Sequence, residues 1–153
     1  MGNSSYILTY NRTPIGAFMG TLKSVPAPIL AASSIEHMIK DLGIGYKHYE
    51  EIIMGNVLQT GIGQAPARQA ALRAGLPDSV CATTINKVCG SGLQSVAYAD
   101  QSIRLGAKSL VIAGGMENMS QAPHYSQSMR EGAKLGSQSL QDSLIHDGLW
   151  DPY

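Results

Sequence analysis

The segment around Cys89 has the residue types of a nucleophilic site. Cys89 stands between a β-prone run that ends at Val88 and a helical pattern that starts at Gly90. The first turn of a helix offers unpaired N–H groups and the positive end of the helix dipole, and both stabilise a thiolate. Gly90 and Gly92 leave space for a substrate beside the sulfur, and the Cys89 N–H is a candidate oxyanion donor. The pattern thus indicates covalent catalysis by a thiolate, which also needs a general base that spacing does not identify.

The same residues also allow a purely structural interpretation. Under it, Cys89 is a small buried apolar residue and the nearby glycines serve only close packing. Cys81 lies between Val80 and Ala82 before a strand, where nothing stabilises a thiolate, and we interpret it as structural. The two cysteines form neither a disulfide framework nor a four-ligand zinc site, which favours a reducing compartment.

The other candidates for ligand binding are weaker. Residues 61–66 begin like a dinucleotide-binding fingerprint, but Pro66 stands where the third glycine or alanine belongs, so we interpret the run as a loop before a helix. None of the histidines has metal-ligand spacing with another histidine or a carboxylate. They are His37, His48, His124 and His146. We therefore expect no metal site.

An alternation of strands and helices positions Cys89 in the chain. The β-prone runs predict strands over residues 6–10, 51–58, 82–88 and 109–113. The helical patterns cover residues 26–42, 64–74 and 90–105. Strands followed by helices predict an α/β fold with a parallel sheet covered on both faces. Residues 119–153 have weak periodicity and are predicted to leave the sheet, with one short helix near residues 140–145.

The composition excludes several functional classes. The chain has 153 residues, with 11 Lys and Arg against 11 Asp and Glu, so it has no basic field for a phosphate backbone. No apolar run approaches the about 18–20 residues that span a bilayer, and the N-terminus lacks a secretory pattern. We expect a soluble cytoplasmic protein with neither nucleic-acid nor membrane partners.

Several motifs follow one another in a specific order. They are Arg12-Thr13-Pro14-Ile15-Gly16, Gly55-Asn56-Val57-Leu58, Gly63-Gln64-Ala65-Pro66-Ala67-Arg68-Gln69, Asn86-Lys87-Val88-Cys89-Gly90-Ser91-Gly92-Leu93, Gly114-Gly115-Met116-Glu117-Asn118-Met119-Ser120 and Asp147-Gly148-Leu149. In this order they resemble the N-terminal part of a biosynthetic-type thiolase, an acetyl-CoA C-acetyltransferase. The resemblance covers essentially the whole chain.

The resemblance implies a thiolase-like α/β/α layered fold with a mostly parallel sheet and an incomplete N-terminal half. Residues 1–118 would form the N-terminal α/β domain without its last strand, and residues 119–153 would begin a loop domain. The implied strand order is 3-2-1-4-5, which leaves the strand at residues 109–113 as a bare edge. The strand at residues 82–88 would lie at a dimer interface, so we expect a homo-oligomer, dimer or tetramer, or pairing with a C-terminal half.

The resemblance also implies the chemistry. Cys89 would accept an acyl group from acyl-CoA as a thioester, and its backbone N–H would form half of an oxyanion hole. Condensation of two acetyl-CoA would give acetoacetyl-CoA, and the reverse reaction would cleave a 3-ketoacyl-CoA with CoA. Coenzyme A thioesters are then substrates, and no separate cofactor is expected.

The resemblance places the rest of the catalytic machinery outside these residues. The activating histidine, a second catalytic cysteine and an Asn–His oxyanion pair have no matching positions here, and Cys81 is not that second cysteine. We therefore expect little or no turnover by this chain alone. The alternatives are a non-catalytic thiolase-like fragment that acts in folding or oligomerisation and a ketoacyl synthase-type condensing enzyme. The motifs at residues 64–68 and 114–120 argue against the synthase.

Overall fold

A three-stranded parallel sheet forms the centre of the computed structural model, which describes residues 4–153. Its strands are β1 (Glu51–Gly55), β2 (Cys81–Ile85) and β3 (Val111–Gly115), in the order β2-β1-β3. Gly55 is level with Ile85 on one side and with Gly115 on the other. The carboxyl ends of all three strands therefore meet at one edge of the sheet.

Helices cover both faces of the sheet. They are α1 (Ala27–Leu42), α2 (Pro66–Arg73) and α3 (Ser91–Arg104). α2 packs on β1 and β2 and against α1, whereas α3 packs on β1 and β3. Because β2 and β3 flank β1 on opposite sides, right-handed crossovers put α2 and α3 on opposite faces. The predicted α/β class with a parallel, doubly covered sheet is confirmed.

The two helix layers differ in how much apolar surface they bury. α2 presents Ala67, Ala70 and Ala71, all 0% exposed, and their small side chains let the helix lie close to the sheet. α1 adds Ile35 and Ile39, and burial of each such side chain contributes about 1.5–3 kcal/mol. Gly43 ends α1 in a left-handed conformation (φ 70°), which a glycine adopts without steric cost.

α3 buries a less apolar face. The residues that it buries are Ser91, Ser95 and Ala99. Its outward side leaves Leu93 78% exposed, and Leu105, directly after the helix, is 83% exposed. The core is therefore concentrated on the α1–α2 side of the sheet.

The N-terminal strand prediction is wrong. Residues 6–10 belong to no sheet, and Tyr6, Ile7 and Tyr10 are largely exposed. The expected order 3-2-1-4-5 places this strand beside β1, but β1 already pairs with β2 on one side and β3 on the other. Both edges of β1 are thus occupied, which excludes a further neighbour. β3 lies at an edge of this sheet, as expected.

The other elements occur close to their predicted positions. The helices confirm the predictions to within two residues at each end. The first two strands of the sheet end three residues earlier than expected, at Gly55 and Ile85, and β3 is shifted two residues toward the C-terminus because Gly114 and Gly115 pair with Met54 and Gly55. The residues that leave β1 and β2 early line the cavity described below.

Residues after β3 form short elements, as the weak periodicity predicts. β4 (His124–Tyr125) pairs antiparallel with β5 (Gln141–Asp142), and a π-helical stretch at Leu144–Leu149 takes the place of the expected helix near residues 140–145. Buried Ser143 secures the segment through its N–H and hydroxyl, which donate to the Pro123 carbonyl at 3.1 and 2.6 Å. Within residues 4–153, no helix combines the length and apolarity needed to span a membrane.

Candidate active site

A cavity of about 430 Å³ opens at the carboxyl ends of the three strands. The segments that follow β1, β2 and β3 line it, together with residues 144–149. From β1 the chain crosses to β2 on one side, and from β2 it crosses back over β1 to β3 on the other side. The direction of the crossovers therefore reverses at β1. Open α/β sheets bind ligands at such a point, outside the carboxyl ends of their strands. The cavity is therefore the candidate active site.

Cys89 lines this cavity and its side chain is exposed. It lies two residues before Ser91, the first residue of α3, as the sequence predicts. The structural alternative, in which Cys89 is a buried apolar residue, is wrong for this chain. Cys81 is also exposed, but it begins β2 and thus lies at the amino end of the sheet, away from the cavity.

A tight turn presents Cys89. The Gly90 N–H donates to the Lys87 carbonyl at 3.1 Å, and the Ser91 N–H donates to the Val88 carbonyl at 3.1 Å. The Ser91 hydroxyl donates to the same carbonyl at 2.6 Å and accepts the Lys87 N–H at 2.8 Å. Ser91 therefore closes the turn on both sides of Cys89.

Val88, immediately before Cys89, has a left-handed backbone conformation with φ 47°. This conformation is a steric outlier for a β-branched residue and costs about 1–3 kcal/mol. Its N–H donates to Asn86 Oδ1 at 2.9 Å, and its carbonyl accepts both groups of Ser91. The surrounding hydrogen bonds thus hold a strained turn, which redirects the chain between β2 and α3.

Glycines bring the start of α3 close to the sheet. A Cβ on Gly115 would lie 3.4 Å from the Gly92 Cα, so β3 and the first turn of α3 are in backbone contact. The Ser95 hydroxyl lies 2.8 Å from the Gly114 carbonyl and also 2.6 Å from the Gly92 carbonyl. These contacts fix the position of the helix start that follows Cys89.

Glu117 is a half-buried carboxylate in the cavity wall. It accepts hydrogen bonds from the N–H groups of Val57 and Leu58 and from the side-chain amide of Asn56. Burial raises the pKa of Glu117 above the usual glutamate range, while these N–H donors act in the opposite direction. Sequence reasoning did not single out Glu117, although an acidic residue directly after the apolar run of β3 is a signal for such a role.

Asn118 and Ser120 bind a different part of the chain. The Asn118 amide donates to the carbonyls of Val25 and Leu22 at 2.7 and 3.2 Å. The Ser120 hydroxyl accepts the Met19 N–H at 2.8 Å. Glu117 thus holds the segment after β1 on one side, and Asn118 and Ser120 hold residues 19–25 on the other.

His124 and His146 take part in side-chain pairs, and neither is among the residues that line the cavity. His146 Nδ1 lies 3.1 Å from the Tyr125 hydroxyl and 2.9 Å from Asp147 Oδ1, and His124 approaches Asp142 at 3.8 Å. In the part of the chain that the structure describes, no group of three or more metal-ligating side chains comes together.

Comparison with known proteins decides the family. Residues 5–153 match the family model described as "Thiolase, N-terminal domain". The chain belongs to the thiolase family. It is 54% identical over 142 residues to proteins named "Probable acetyl-CoA acyltransferase" from Staphylococcus aureus strains NCTC 8325, MRSA252 and bovine RF122. Each alignment covers 93% of this chain and 36% of the relative, so the chain spans about a third of the length of these curated relatives.

Four motifs that carried the resemblance meet at the cavity of this thiolase domain. They contribute lining residues from segments 55–58, 86–93, 114–120 and 147–149. The segment 63–69 instead leads into α2, where the Gln69 amide donates to the carbonyls of Ile62 and Gln64 at 3.0 and 2.8 Å. The interpretation of residues 61–66 as a loop before a helix is confirmed. The segment 12–16 is mostly exposed and contributes nothing to the cavity lining.

Proposed function

We propose that this chain supplies the nucleophile of an acetyl-CoA acyltransferase. Cys89 transfers an acyl group to and from coenzyme A, in the condensation of two acetyl-CoA to acetoacetyl-CoA or in the thiolytic cleavage of a 3-ketoacyl-CoA. The observation that carries the proposal is the exposed sulfur of Cys89 in the cavity beside the start of α3. The names of the relatives support the substrate class.

The first half-reaction forms a thioester on Cys89. The Cys89 thiolate attacks the carbonyl carbon of an acyl-CoA, and the tetrahedral intermediate collapses with loss of the CoA thiolate. The Cys89 N–H donates to the oxyanion of that intermediate. In the second half-reaction, the carbanion of acetyl-CoA attacks the thioester and releases Cys89. Thiolysis is the same sequence in reverse, so no oxidant or reductant is consumed.

The chain needs further residues for turnover. The side-chain hydrogen bonds around Cys89 involve Asn86, Lys87 and Ser91, and none of these three bonds is made to the sulfur. The Lys87 ammonium is paired with Gln94 at 2.8 Å. In our proposal the general base comes from another part of the protein, and residues 119–153 begin the domain that binds CoA. The assembled protein is a homo-oligomer without a cofactor of its own.

Acetylation of the purified chain tests the proposal. We expect incubation with acetyl-CoA to add an acetyl group to the Cys89 peptide but not to the Cys81 peptide, as read by peptide mass mapping. The variant Cys89→Ser should abolish the labelling, and the matched variant Cys81→Ser should retain it. Addition of CoA and acetoacetyl-CoA should give no sustained turnover.

The other outcomes separate the rival functions. Equal labelling of both cysteines, or none, would indicate a non-catalytic thiolase-like fragment. Labelling by an acyl carrier protein thioester but not by acetyl-CoA would indicate a ketoacyl synthase. Sustained thiolysis of acetoacetyl-CoA by the purified chain would contradict its dependence on further residues.

A further inference from the structure

The Glu117 carboxylate connects the ends of two neighbouring strands in the cavity wall. Glu117 follows β3, and the groups that it binds follow β1. Its Oε1 accepts from the Asn56 side-chain amide at 2.8 Å, and its Oε2 accepts from the Val57 N–H at 2.9 Å. The Leu58 N–H lies 3.3 Å from both oxygens. One side chain therefore satisfies three donors of the segment that follows β1.

The arrangement requires an acceptor with two oxygens. An ionised carboxylate accepts at both oxygens, whereas a glutamine side chain has one oxygen and would turn its NH₂ group toward N–H donors. Hydrogen bonds to a charged acceptor are about twice as strong as those between neutral groups. A glutamate at position 117 can therefore accept from both the Val57 and the Leu58 N–H groups with its two oxygens, whereas a glutamine cannot.

The segment held by Glu117 is itself a wall of the cavity. Val57 and Leu58 line the cavity together with Cys89. Leu58 is 8% exposed, and its Cδ2 would lie 3.0 Å from a Cβ on Gly148, so it also contacts the C-terminal segment of the lining. A shift of the backbone at these positions therefore changes the apolar surface available to a group bound at Cys89.

We propose that Glu117 is a positioning residue for acyl transfer at Cys89, because its carboxylate holds the Val57–Leu58 backbone so that an apolar acyl group packs beside the sulfur. The proposal rests on the proposed function, since it treats the cavity as the acyl site. Glu117 acts through Val57 and Leu58 and does not touch the reacting atoms. Asn56, which is 1% exposed and also donates to the Met116 carbonyl at 3.2 Å, keeps the carboxylate in place.

The first test measures whether the carboxylate holds this backbone. We expect Glu117→Gln to raise the amide hydrogen-exchange rates of Val57 and Leu58 about tenfold, the change that corresponds to one lost hydrogen bond to a charged group. The matched control is Glu131→Gln, which makes the same chemical change at an exposed carboxylate. It should leave both rates unchanged. Unchanged rates in Glu117→Gln would overturn the proposal.

The second test measures whether the wall seats an apolar group at Cys89. Iodoacetamide and N-hexyl-iodoacetamide share one reacting group, so the ratio of their rates cancels the thiolate content of the cysteine. We take the rate with N-hexyl-iodoacetamide divided by the rate with iodoacetamide at Cys89, and compare it with the same ratio at Cys81 in the same sample. In the unmodified chain we expect the ratio at Cys89 to be the larger one, because the hexyl tail packs on Val57 and Leu58. Glu117→Gln should lower it severalfold, and Glu131→Gln should not.

The outcomes distinguish this proposal from the proposed function. A faster exchange without a change in the ratio would overturn the proposal, because Glu117 would then brace the backbone without shaping the acyl site. Glu117→Asp keeps both oxygens and should restore part of the ratio, which provides a test if Glu117→Gln does not fold. Failure of the proposed function appears instead as absent acetylation of Cys89, and the rate ratio does not depend on that reaction.

Discussion

Gly55, at the end of β1, lies so close to Ser91, at the start of α3, that no side chain fits at position 55. A Cβ built on Gly55 would lie 2.6 Å from the Ser91 Cβ and 2.8 Å from the Gly92 nitrogen. Ser91 is 4% exposed and closes the turn that presents Cys89. The position of the nucleophile is therefore set by contact between the central strand and the helix start.

The variant Gly55→Ala should displace the first turn of α3. Because the neighbouring atoms at this contact are backbone and Cβ atoms, which cannot rotate away, we expect a loss of about 1–3 kcal/mol in the free energy of unfolding. The alkylation rate of Cys89 should change as well. Gly114→Ala is the control, since its Cβ would meet the flexible end of Met54 at an ordinary distance of 3.6 Å. Urea unfolding and peptide mapping measure both effects, and equal effects of the two variants would contradict the prediction.

The strained conformation of Val88 predicts a substitution that raises the free energy of unfolding, unlike Gly55→Ala. Asparagine tolerates a left-handed backbone better than valine does, and Val88 is 53% exposed, so little packing is lost. We expect Val88→Asn to raise the free energy of unfolding by about 1 kcal/mol. Val96→Asn, at a partly exposed position in α3, should instead lower it, because valine and asparagine have similar helix propensities and the variant loses apolar contact. Destabilisation by Val88→Asn in urea titrations would refute the assignment of strain.

Glu117 should make the free energy of unfolding fall as pH rises through its raised pKa. Because burial raises its pKa in the folded state, the folded chain binds a proton more readily than the unfolded chain. The stabilisation from this proton is complete below the unfolded pKa and is lost as pH rises through the folded pKa.

The variant Glu117→Gln isolates this contribution. As pH rises from the usual glutamate range through the raised pKa of Glu117, the free energy of unfolding of the unmodified chain should fall relative to that of Glu117→Gln. Urea titrations at several pH values measure the difference, with Glu131→Gln as the control that should run parallel to the unmodified chain. If the free energy of unfolding of the unmodified chain instead stays constant or rises with pH relative to that of Glu117→Gln, the hydrogen-bond donors around Glu117 outweigh the effect of its burial.

The exposed apolar residues at positions 6–10 predict self-association. Ile7 is 81% exposed and Tyr10 is 90% exposed, in a segment without regular secondary structure that pairs with no strand among residues 4–153. Such segments favour association. We expect Ile7→Lys to reduce the concentration-dependent increase in mass in analytical ultracentrifugation and to change the free energy of unfolding by less than about 0.5 kcal/mol. Gln101→Lys adds the same charge on α3 and should leave the association unchanged.

Local signals in the sequence were sufficient for the elements around Cys89. The apolar periodicity and the flanking glycines placed α3 within one residue at each end and predicted Cys89 at its start. Pairing between strands depends on parts of the chain that are distant in sequence. For this reason the β-prone pattern of residues 6–10 predicts a strand, although the sheet has no place for it beside β1.

The role of Glu117 could not be predicted for the same reason. Its partners lie about sixty positions away in the sequence, and they become its neighbours only when β1 and β3 pair. The steric requirement at Gly55 likewise depends on Ser91, which belongs to a different element. The sequence supplied the residues of the site, whereas the sheet determines which of them meet.

The difference between the two helix layers has a consequence for the dynamics of the site. α1 and α2 share a tightly packed apolar interface with the sheet, while α3 buries small and polar residues and exposes Leu93 and Leu105. A layer that buries less apolar surface opens at a lower free energy than the rest of the molecule. α3, which begins two residues after the nucleophile, is therefore expected to open before α1 and α2 in native-state fluctuations. Any surface that covers its outer face would suppress that opening and hold Cys89 in its reactive geometry.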